Sequence, residues 1–331
     1  MKQYLPEINF LKGMAIIFVL FLHSLDKSIL KDTYSVCHIG QAVPIFFSVT
    51  FYLAFLSLKN REKMFQYWFS KERFVKLFRR IVVPVIVLTF FQLLYLIIIG
   101  DIDMIKRMLL LGGWGPGSYY VWEYLQIWIL APFLYMLLEK YENAGRGIIL
   151  LLGICVLLNI GCSYFVHINR LYSILCIRHL FLAAIAYIWL NNDKYKSWAL
   201  GVLGILSLIY LIYFRNVNLE PFVYYGEWNG QNYPIYFWSL IFIYMLLSVF
   251  RKIKDVRTIR LIEWCGINSW SIFLCQMFVI GFIPLSRFST ITRMNNPIII
   301  QLLYCTFVFF ISIVPISITE VVRNKFLRKK Y

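Results

Sequence analysis

Ten apolar stretches, most of them about 20 residues long, follow one another along this chain. They occupy residues 9–26, 37–58, 81–99, 118–138, 147–166, 171–190, 197–214, 233–250, 263–283 and 296–319. A helix of this length spans the hydrocarbon core of a bilayer. Backbone in hydrocarbon must satisfy its own hydrogen bonds, which leaves helices or a closed barrel, and these runs are too long and too continuously apolar for barrel strands. The sequence predicts an all-α polytopic membrane bundle of about ten transmembrane helices, in a single domain over residues 1–331.

The composition excludes most other classes of protein. Apolar residues make up 61% of the chain and charged residues 15%, compared with about 45–50% and about 25% in soluble domains. The same numbers exclude disordered, collagen-like, coiled-coil and disulfide-scaffold chains. The seven cysteines form neither a Cys-x-x-Cys pair nor a Cys/His metal spacing. We therefore predict no metal site and no permanently bound cofactor.

The basic residues indicate how the chain is oriented. With ten spans, one set of loops together with both tails contains 23 Lys and Arg, whereas the opposite loops contain 8. Positive charge accumulates on the cytoplasmic side of membrane proteins, so both termini are predicted to be cytoplasmic. The net charge of +17 is then explained by contact with anionic lipid, and we predict no nucleic-acid partner.

One basic segment, residues 61–80, alternates aromatic side chains with Lys and Arg. This pattern predicts an amphipathic helix on the inner membrane surface. Its cations have two interpretations, which the sequence leaves open. They anchor the helix to lipid headgroups, or Arg73, Lys76, Arg79 and Arg80 bind a phosphorylated donor such as a coenzyme.

Few polar residues lie inside the apolar stretches, where their burial is costly. They are Lys12, His23, His38, Glu123, Arg178, His179 and Gln276, with Asp26 just past the first stretch. The predicted topology places the histidines, Glu123 and Arg178 at a similar depth near the outer face. This agreement favours a polar pocket that opens outward. The alternative is a set of separate hydrogen bonds between helices and snorkelling side chains.

Lys12 and His23 are eleven residues apart on the first predicted helix. Eleven residues return to within roughly 20° of the same face and rise about 16 Å. That separation suits a long donor with a phosphate-bearing head and a reactive tip, such as an acyl pantetheine arm. A snorkelling lysine and a core histidine are the structural alternatives.

The segment from Asn9 to His23, with Lys12, Ala15 and Val19, resembles the first span of the membrane-bound acyltransferase-3 family. Five further segments resemble that family in chain order: Val43–Thr50, Phe74–Pro84, Gly115–Tyr135, Arg178–Ala183 and Gly266–Gln276. The resemblance covers most of the chain. It differs from the family pattern in having Lys12 for Arg, Asn9 for an acidic residue, Thr50-Phe51 for Ser-Gly and Gln276 for His.

The resemblance implies that the chain transfers an acyl group, often acetyl, from cytoplasmic acyl-CoA to a carbohydrate. It places the family's essential histidine at His23 and its arginine at Lys12, and it implies a bacterial cytoplasmic membrane. We therefore predict an integral membrane O-acyltransferase that modifies a cell-surface polysaccharide or its lipid-linked precursor. Acyl-CoA is its predicted co-substrate, and its predicted partners are the lipid bilayer and the carbohydrate acceptor.

The predicted chemistry uses His23 as a general base, since an ordinary histidine pKa near 6.5 suits removal of a hydroxyl proton. A transient acyl carrier at His23 is the alternative. Arg178 is the candidate for stabilising the oxyanion, and Asp26 or Glu123 for orienting the imidazole. The donor-binding candidates are Lys12, Arg73, Lys76, Arg79 and Arg80. The acceptor-binding candidates are His38, Gln126, His179 and Gln276.

The loop Tyr224–Tyr233 is rich in aromatic and amide side chains. These suit stacking on sugars and hydrogen bonding to hydroxyls, although an interfacial aromatic belt explains the same residues. Two rival functions fit a ten-helix bundle with a polar outward pocket. One is a non-enzymatic transporter or export partner for a polysaccharide, and the other is an assembly or sensor protein.

Overall fold

The computed structural model describes residues 4–111, 115–141, 145–165, 172, 174–195, 198–217, 231–292 and 296–328. All regular secondary structure in these ranges is helical. The N-terminal half contains α1 (Pro6–Ser24), α2 (Lys27–Asp32), α3 (Ala42–Leu58), α4 (Met64–Trp68), α5 (Lys71–Leu77), α6 (Val83–Ile99), α7 (Ile102–Leu111), α8 (Tyr119–Lys140) and α9 (Arg146–Phe165). The C-terminal half contains α10 (Leu182–Leu190), α11 (Asn192–Tyr195), α12 (Trp198–Val217), α13 (Tyr236–Lys252), α14 (Val256–Ile267), α15 (Ser269–Phe282), α16 (Leu285–Thr292) and α17 (Pro297–Arg328).

Among the residues that the structure describes, six helical segments are long and apolar enough to cross a membrane. They are Pro6–Ser24, Ser35–Leu58, Lys71–Ile99, Tyr119–Lys140, Tyr233–Lys252 and Pro297–Thr319. The pair α14 and α15 makes a seventh if the two are counted as one span bent by 74°. Three of the ten predicted stretches coincide with shorter apolar helices of 10–17 residues, Arg146–Cys162, Cys176–Leu190 and Trp198–Tyr213. The described residues thus form an all-helical, multi-pass membrane protein with six or seven segments of spanning length and these shorter apolar helices, and the number of ten spans stays a prediction.

The bend between α14 and α15 has a local cause at Asn268. The backbone N–H of this residue donates to the carbonyl of Trp264, and its side-chain amide donates to the same oxygen at 3.2 Å. A side chain that bonds the backbone in this way competes with the next helical hydrogen bond. The helix therefore ends at Ile267 and restarts at Ser269 in a new direction.

The basic segment 61–80 forms two short helices where one amphipathic helix was predicted. Ser70 has an extended backbone and separates α4 from α5. From Lys71 the helix continues into the third span, which the sequence placed only from residue 81. A π turn at Phe78–Val82 joins α5 to α6, with the N–H of Val83 donating to the carbonyl of Phe78. Pro84 follows directly and has no N–H to offer the preceding turn, which explains this local widening.

The chain divides into two compact units, each assembled from separated segments. The first unit comprises Met1–Ser35, Val85–Ser118 and Ile253–Tyr331, and the second comprises Val36–Pro84 and Tyr119–Lys252. In the first unit α1 packs along α14 with very close backbones. A Cβ at Gly13 would overlap the main chain of Ile262, and one at Gly266 would overlap that of Asn9. Small residues at these two positions permit this approach of the helices.

The second unit is built around the small-residue helix α10. Ala183, Ala184 and Ala186 on this helix are completely buried, and α10 packs against α3, α8 and α13. The aromatic side chains Phe47, Phe51 and others of α3 and α8 join it in one hydrophobic core. The prediction of a single domain over residues 1–331 stays a prediction.

Candidate active site

The predicted general base lies in the first unit. Lys12 and His23 are both on α1, which is helical without a break from Pro6 to Ser24, and both side chains are half-buried. The structure thus confirms that Lys12 and His23 lie on one continuous helix, and their roles stay predictions.

The imidazole of His23 lies beside the turn that precedes α8. A Cβ placed on Gly117 in this turn would lie 3.8 Å from Nε2 of His23 and 3.1 Å from Cε2 of Phe273. Gly117 has a φ of +83°, and Gly115 has a φ of +130°, values that glycine adopts readily and other residues avoid. The turn therefore brings bare backbone up to the side chain of His23.

Two other predicted site residues of the first unit have separate environments. The carboxylate of Asp26 caps α2, accepting from the backbone N–H of Ser28 at 2.9 Å and from its hydroxyl at 3.1 Å. These hydrogen bonds lower the pKa of Asp26. Gln276 on α15 is completely buried, and within the described part of the chain neither of its amide atoms has a hydrogen-bond partner. The role of Asp26 in orienting His23 and the acceptor contact of Gln276 stay predictions.

A buried charged cluster lies in the second unit. Glu123 on α8 accepts from Nη2 of Arg178 at 2.6 Å through one oxygen, and its other oxygen lies 2.7 Å from Nδ1 of His179. All three side chains are completely buried. Three residues predicted to share a polar environment therefore do meet. The catalytic roles predicted for Glu123 and Arg178 stay predictions.

Aromatic rings enclose this cluster. The guanidinium of Arg178 lies over the ring of Tyr119, with 4.7 Å between Cζ and the ring centroid. The imidazole of His179 packs on Phe47 with 4.6 Å between centroids, and Tyr236 donates from its hydroxyl to the carbonyl of Arg178 at 3.0 Å. A low-dielectric enclosure strengthens each charged contact and makes its loss expensive.

Gln126 positions the segment that presents Arg178 and His179. Its amide nitrogen donates to the carbonyl of Ile174 at 2.8 Å, and its oxygen accepts from the N–H of Cys176 at 3.1 Å. Gln126 lies one turn beyond Glu123 on the same face of α8. Gln126 therefore binds the backbone at the start of the 3-10 helix Cys176–His179, and Glu123 binds the side chains at its end. Its predicted contact with an acceptor stays a prediction.

His38 lies immediately before the 3-10 helix Ile39–Gln41 and is half-buried. Its neighbourhood is fixed to α13 by two hydrogen bonds. Trp238 donates to the carbonyl of Cys37 at 2.8 Å, and Ser239 donates to the side chain of Gln41 at 2.6 Å. Hydrogen bonds on both sides of His38 thus tie this segment to α13, and its acceptor role stays a prediction.

The cations predicted to bind the donor differ in how they are held. The guanidinium of Arg73 lies over the rings of Trp68 and Tyr67, at 4.1 and 4.7 Å from their centroids, and it donates weakly to Ser57 at 3.4 Å. Lys76, Arg79 and Arg80 are exposed. Because they are three and four residues apart in a helical stretch, they share one face, which suits binding of several phosphate groups.

Two features were missed by the sequence analysis. One is a buried network in which Tyr172 donates to Asn159 at 2.6 Å and Asn232 donates to both. The other is the approach of Gly117 to His23. The polar residues Asn159 and Asn232 inside or beside apolar stretches were a usable signal for the network. The predicted sugar-contacting loop Tyr224–Tyr233 lies outside the described residues except for its last three positions.

The helices and their buried ionisable groups define a multi-pass membrane protein with polar sites inside helical units. The family model of the acyltransferase-3 group, described as an acyltransferase domain, matches residues 5–316. The chain therefore belongs to the acyltransferase-3 family and is an acyltransferase enzyme, which decides against the transporter and the sensor. No curated protein and no solved structure matches the chain.

Proposed function

We propose that this enzyme moves an acetyl group from cytoplasmic acyl-CoA to a hydroxyl group of a cell-surface polysaccharide or its lipid-linked precursor. The observation that supports it best is the placement of His23 on α1 with Lys12, beside the bare backbone of Gly117. The proposed setting is a bacterial cytoplasmic membrane crossed ten times, with both termini inside.

In the proposed reaction His23 removes the proton of the acceptor hydroxyl as its oxygen attacks the thioester carbonyl carbon. The carbon–sulfur bond then breaks, the carbonyl re-forms and the acyl group stays on the acceptor oxygen as an ester. The departing coenzyme A thiolate takes the proton from the imidazolium. Proton transfer by a positioned histidine contributes about 10²–10⁴-fold to the rate of such reactions.

The donor is proposed to lie along α1 with its phosphates toward Lys12. The distance from Lys12 to His23 along the helix is about 16 Å. Charge-assisted hydrogen bonds to the phosphates are proposed for the exposed cations Lys76, Arg79 and Arg80. The same role is proposed for Arg73, whose guanidinium lies over the ring of Trp68. No permanently bound cofactor is part of this proposal.

The remaining roles are proposed from the sequence. Arg178 is the candidate oxyanion donor, Asp26 and Glu123 are the candidates for orienting the imidazole, and His38, Gln126, His179 and Gln276 are the candidate acceptor contacts. The buried ion pair of Arg178 with Glu123 supports a second, structural role for these two residues in stabilising the second unit.

The test is acyl transfer in membranes that express the chain. Labelled acetyl-CoA is supplied from the cytoplasmic side, and the native protein is compared with His23→Ala at equal expression. Phe21→Ala is the matched control, because Phe21 is an exposed side chain on the same helix. We expect label in the glycan with the native chain and the control, and a loss of at least about 100-fold with His23→Ala.

Two results would contradict the proposal. Transfer by His23→Ala at the native rate would remove His23 from the mechanism. Absence of label from the native chain with acetyl, propionyl and butyryl donors alike would show that acyl-CoA is the wrong donor.

A further inference from the structure

A cavity of about 380 Å³ lies in the second unit, between the start of α12 and the C-terminal half of α13. Its volume is within the range of small-molecule sites, about 300–1,000 Å³. Leu200 on α12 and Leu240 and Leu247 on α13 form much of an apolar wall, and polar side chains lie among them. None of the residues that line this cavity belongs to the set proposed for acyl transfer.

The two helices touch at one point and separate beyond it. A Cβ on Gly204 would overlap Cδ1 of Ile241 and lie 3.3 Å from the carbonyl oxygen of Phe237, so α12 and α13 are in close contact there. One turn earlier on α12, a Cβ on Gly201 would meet no atom within 4 Å, and Gly201 lines the cavity. The missing side chain of Gly201 therefore adds to the open space.

The outer surface of this helix pair is apolar, as expected of helices that face lipid chains. Large exposed aliphatic side chains occur on both helices, namely Ile205, Leu206 and Ile209 on α12 and Met245 and Val249 on α13. Trp198, the first residue of α12, is 82% exposed, which suits an indole at the level of the lipid headgroups. The cavity thus lies near the headgroup end of a lipid-facing surface.

The polar side of the cavity has a cation and an amide. Arg251 is exposed, and within the described part of the chain no carboxylate pairs with it. The amide oxygen of Asn192 accepts from the hydroxyl of Tyr244 at 2.8 Å, so the N–H groups of the same amide can donate to a ligand. The charge distribution of the sequence predicts that this end faces the cytoplasm, where the membrane surface is negative.

We propose that this cavity binds one anionic phospholipid, with an acyl chain along the apolar wall and the phosphate at Arg251 and Asn192. An acyl chain in this place is removed from water, and a phosphate accepts charge-assisted hydrogen bonds from a guanidinium. Basic pockets between membrane helices on the cytoplasmic side bind acidic lipid headgroups. The inference goes beyond the proposed function and does not depend on it, because it concerns lipid binding alone.

Arg251→Gln tests the role of the charge. The purified full-length protein in detergent is titrated with dioleoyl phosphatidylglycerol or dioleoyl phosphatidylcholine, and bound lipids are counted by native mass spectrometry. We expect the variant to bind phosphatidylglycerol about tenfold more weakly than the native chain and phosphatidylcholine equally well. Lys252→Gln is the matched control, because Lys252 is also exposed but does not line the cavity. Other basic residues attract anionic lipid as well, so the site is measured as the difference between these two variants.

Gly201→Leu tests the cavity independently of charge. The added side chain enters open space, so the fold is retained, and it fills volume that the acyl chain needs. We expect phosphatidylglycerol binding to fall about tenfold, with a melting temperature in lipid-free detergent no lower than that of the native chain, since leucine favours a helix over glycine. Gly153→Leu on α9 is the control. A Cβ there also meets no atom within 4 Å, and binding should equal that of the native chain.

Three results would overturn the inference. The first is native-like binding of phosphatidylglycerol by both Arg251→Gln and Gly201→Leu. The second is equal binding of phosphatidylglycerol and phosphatidylcholine by the native chain, which would show that the headgroup charge is not recognised. The third is a rise in melting temperature with inorganic phosphate as large as that with phosphatidylglycerol, which would indicate a site for free phosphate in place of a lipid.

Discussion

Glu123 lies 2.6 Å from Nη2 of Arg178, and both side chains are completely buried in the second unit. Isolated charges in such a place are very unfavourable, and a buried pair is stable only while both members are present. The same carboxylate also contacts His179, so one side chain on α8 secures two consecutive residues of the 3-10 helix Cys176–His179.

Removing the charge of Glu123 should therefore destabilise the protein. Glu123→Gln leaves the guanidinium of Arg178 buried without its counter-charge, and we expect a loss of about 3–5 kcal/mol in the free energy of unfolding. Thermal unfolding in detergent, compared with the native chain, measures the effect. The double variant Glu123→Leu/Arg178→Leu should lose less stability than Glu123→Leu or Arg178→Leu alone. A loss in the double variant equal to the sum of these two single losses would contradict the coupling.

The close contact of α1 with α14 should tolerate no added methyl group. Gly13→Ala or Gly266→Ala forces the two backbones apart, and we expect a loss of about 1–3 kcal/mol in the free energy of unfolding. Gly161→Ala on α9 is the control, because a Cβ there meets no atom within 4 Å. It should be neutral or stabilising by up to about 1 kcal/mol. Equal melting temperatures for the three variants would contradict this account of the packing.

Lys12 should act on binding of the donor rather than on the chemical step. Lys12→Met removes a cation that is proposed to contact a phosphate, and we expect the KM for acetyl-CoA to rise about tenfold or more while kcat changes little. Lys12→Arg retains the charge and should keep the KM within a few-fold of the native value. Initial rates over a range of donor concentrations separate the two constants. A fall in kcat at an unchanged KM would instead place Lys12 in the chemical step.

The exposed pair Arg79 and Arg80 should contribute a salt-dependent part of donor affinity. We expect Arg79→Gln/Arg80→Gln to raise the KM for acetyl-CoA and to weaken its dependence on ionic strength, because exposed charges are screened by salt. Arg257→Gln/Arg260→Gln removes two charges of similar exposure on α14 and is the matched control. If both double variants change the KM equally, the effect comes from general membrane charge and not from a phosphate site.

Much of the fold could be predicted from hydropathy, because a helix is the form in which an apolar segment satisfies its backbone inside a bilayer. The stretches at 9–26 and 118–138 agree with α1 and α8 to within a few residues. The predicted helix bounds and directions are wrong where a polar side chain or a basic segment changes the course of the helix. Asn268 bends the ninth stretch by 74°, and the helix of the third span begins at Lys71, well before the apolar residues start.

The candidate site was predictable in its residue types but not in its pairings. Polar side chains in apolar stretches are rare enough to single out Glu123, Arg178 and His179, and those three do come together. The sequence offered Asp26 or Glu123 as the carboxylate that orients His23, and this role stays a prediction. The contacts of Glu123 with Arg178 and His179 could not be read from the spacing. Which groups meet depends on the packing of α8 against a 3-10 helix that is distant in sequence.

The sequence by itself determined that this chain is a helical membrane protein, that Lys12 and His23 share one helix, and that it resembles the acyltransferase-3 family. These conclusions depend on the composition and on the period of one helix, which are local properties. Only the tertiary structure decided that Glu123 binds both Arg178 and His179, and that the bare backbone of Gly117 lies beside His23. Such contacts join segments that are far apart in the chain, and they depend on backbone conformations, such as the positive φ of Gly117, that are fixed when the helices pack.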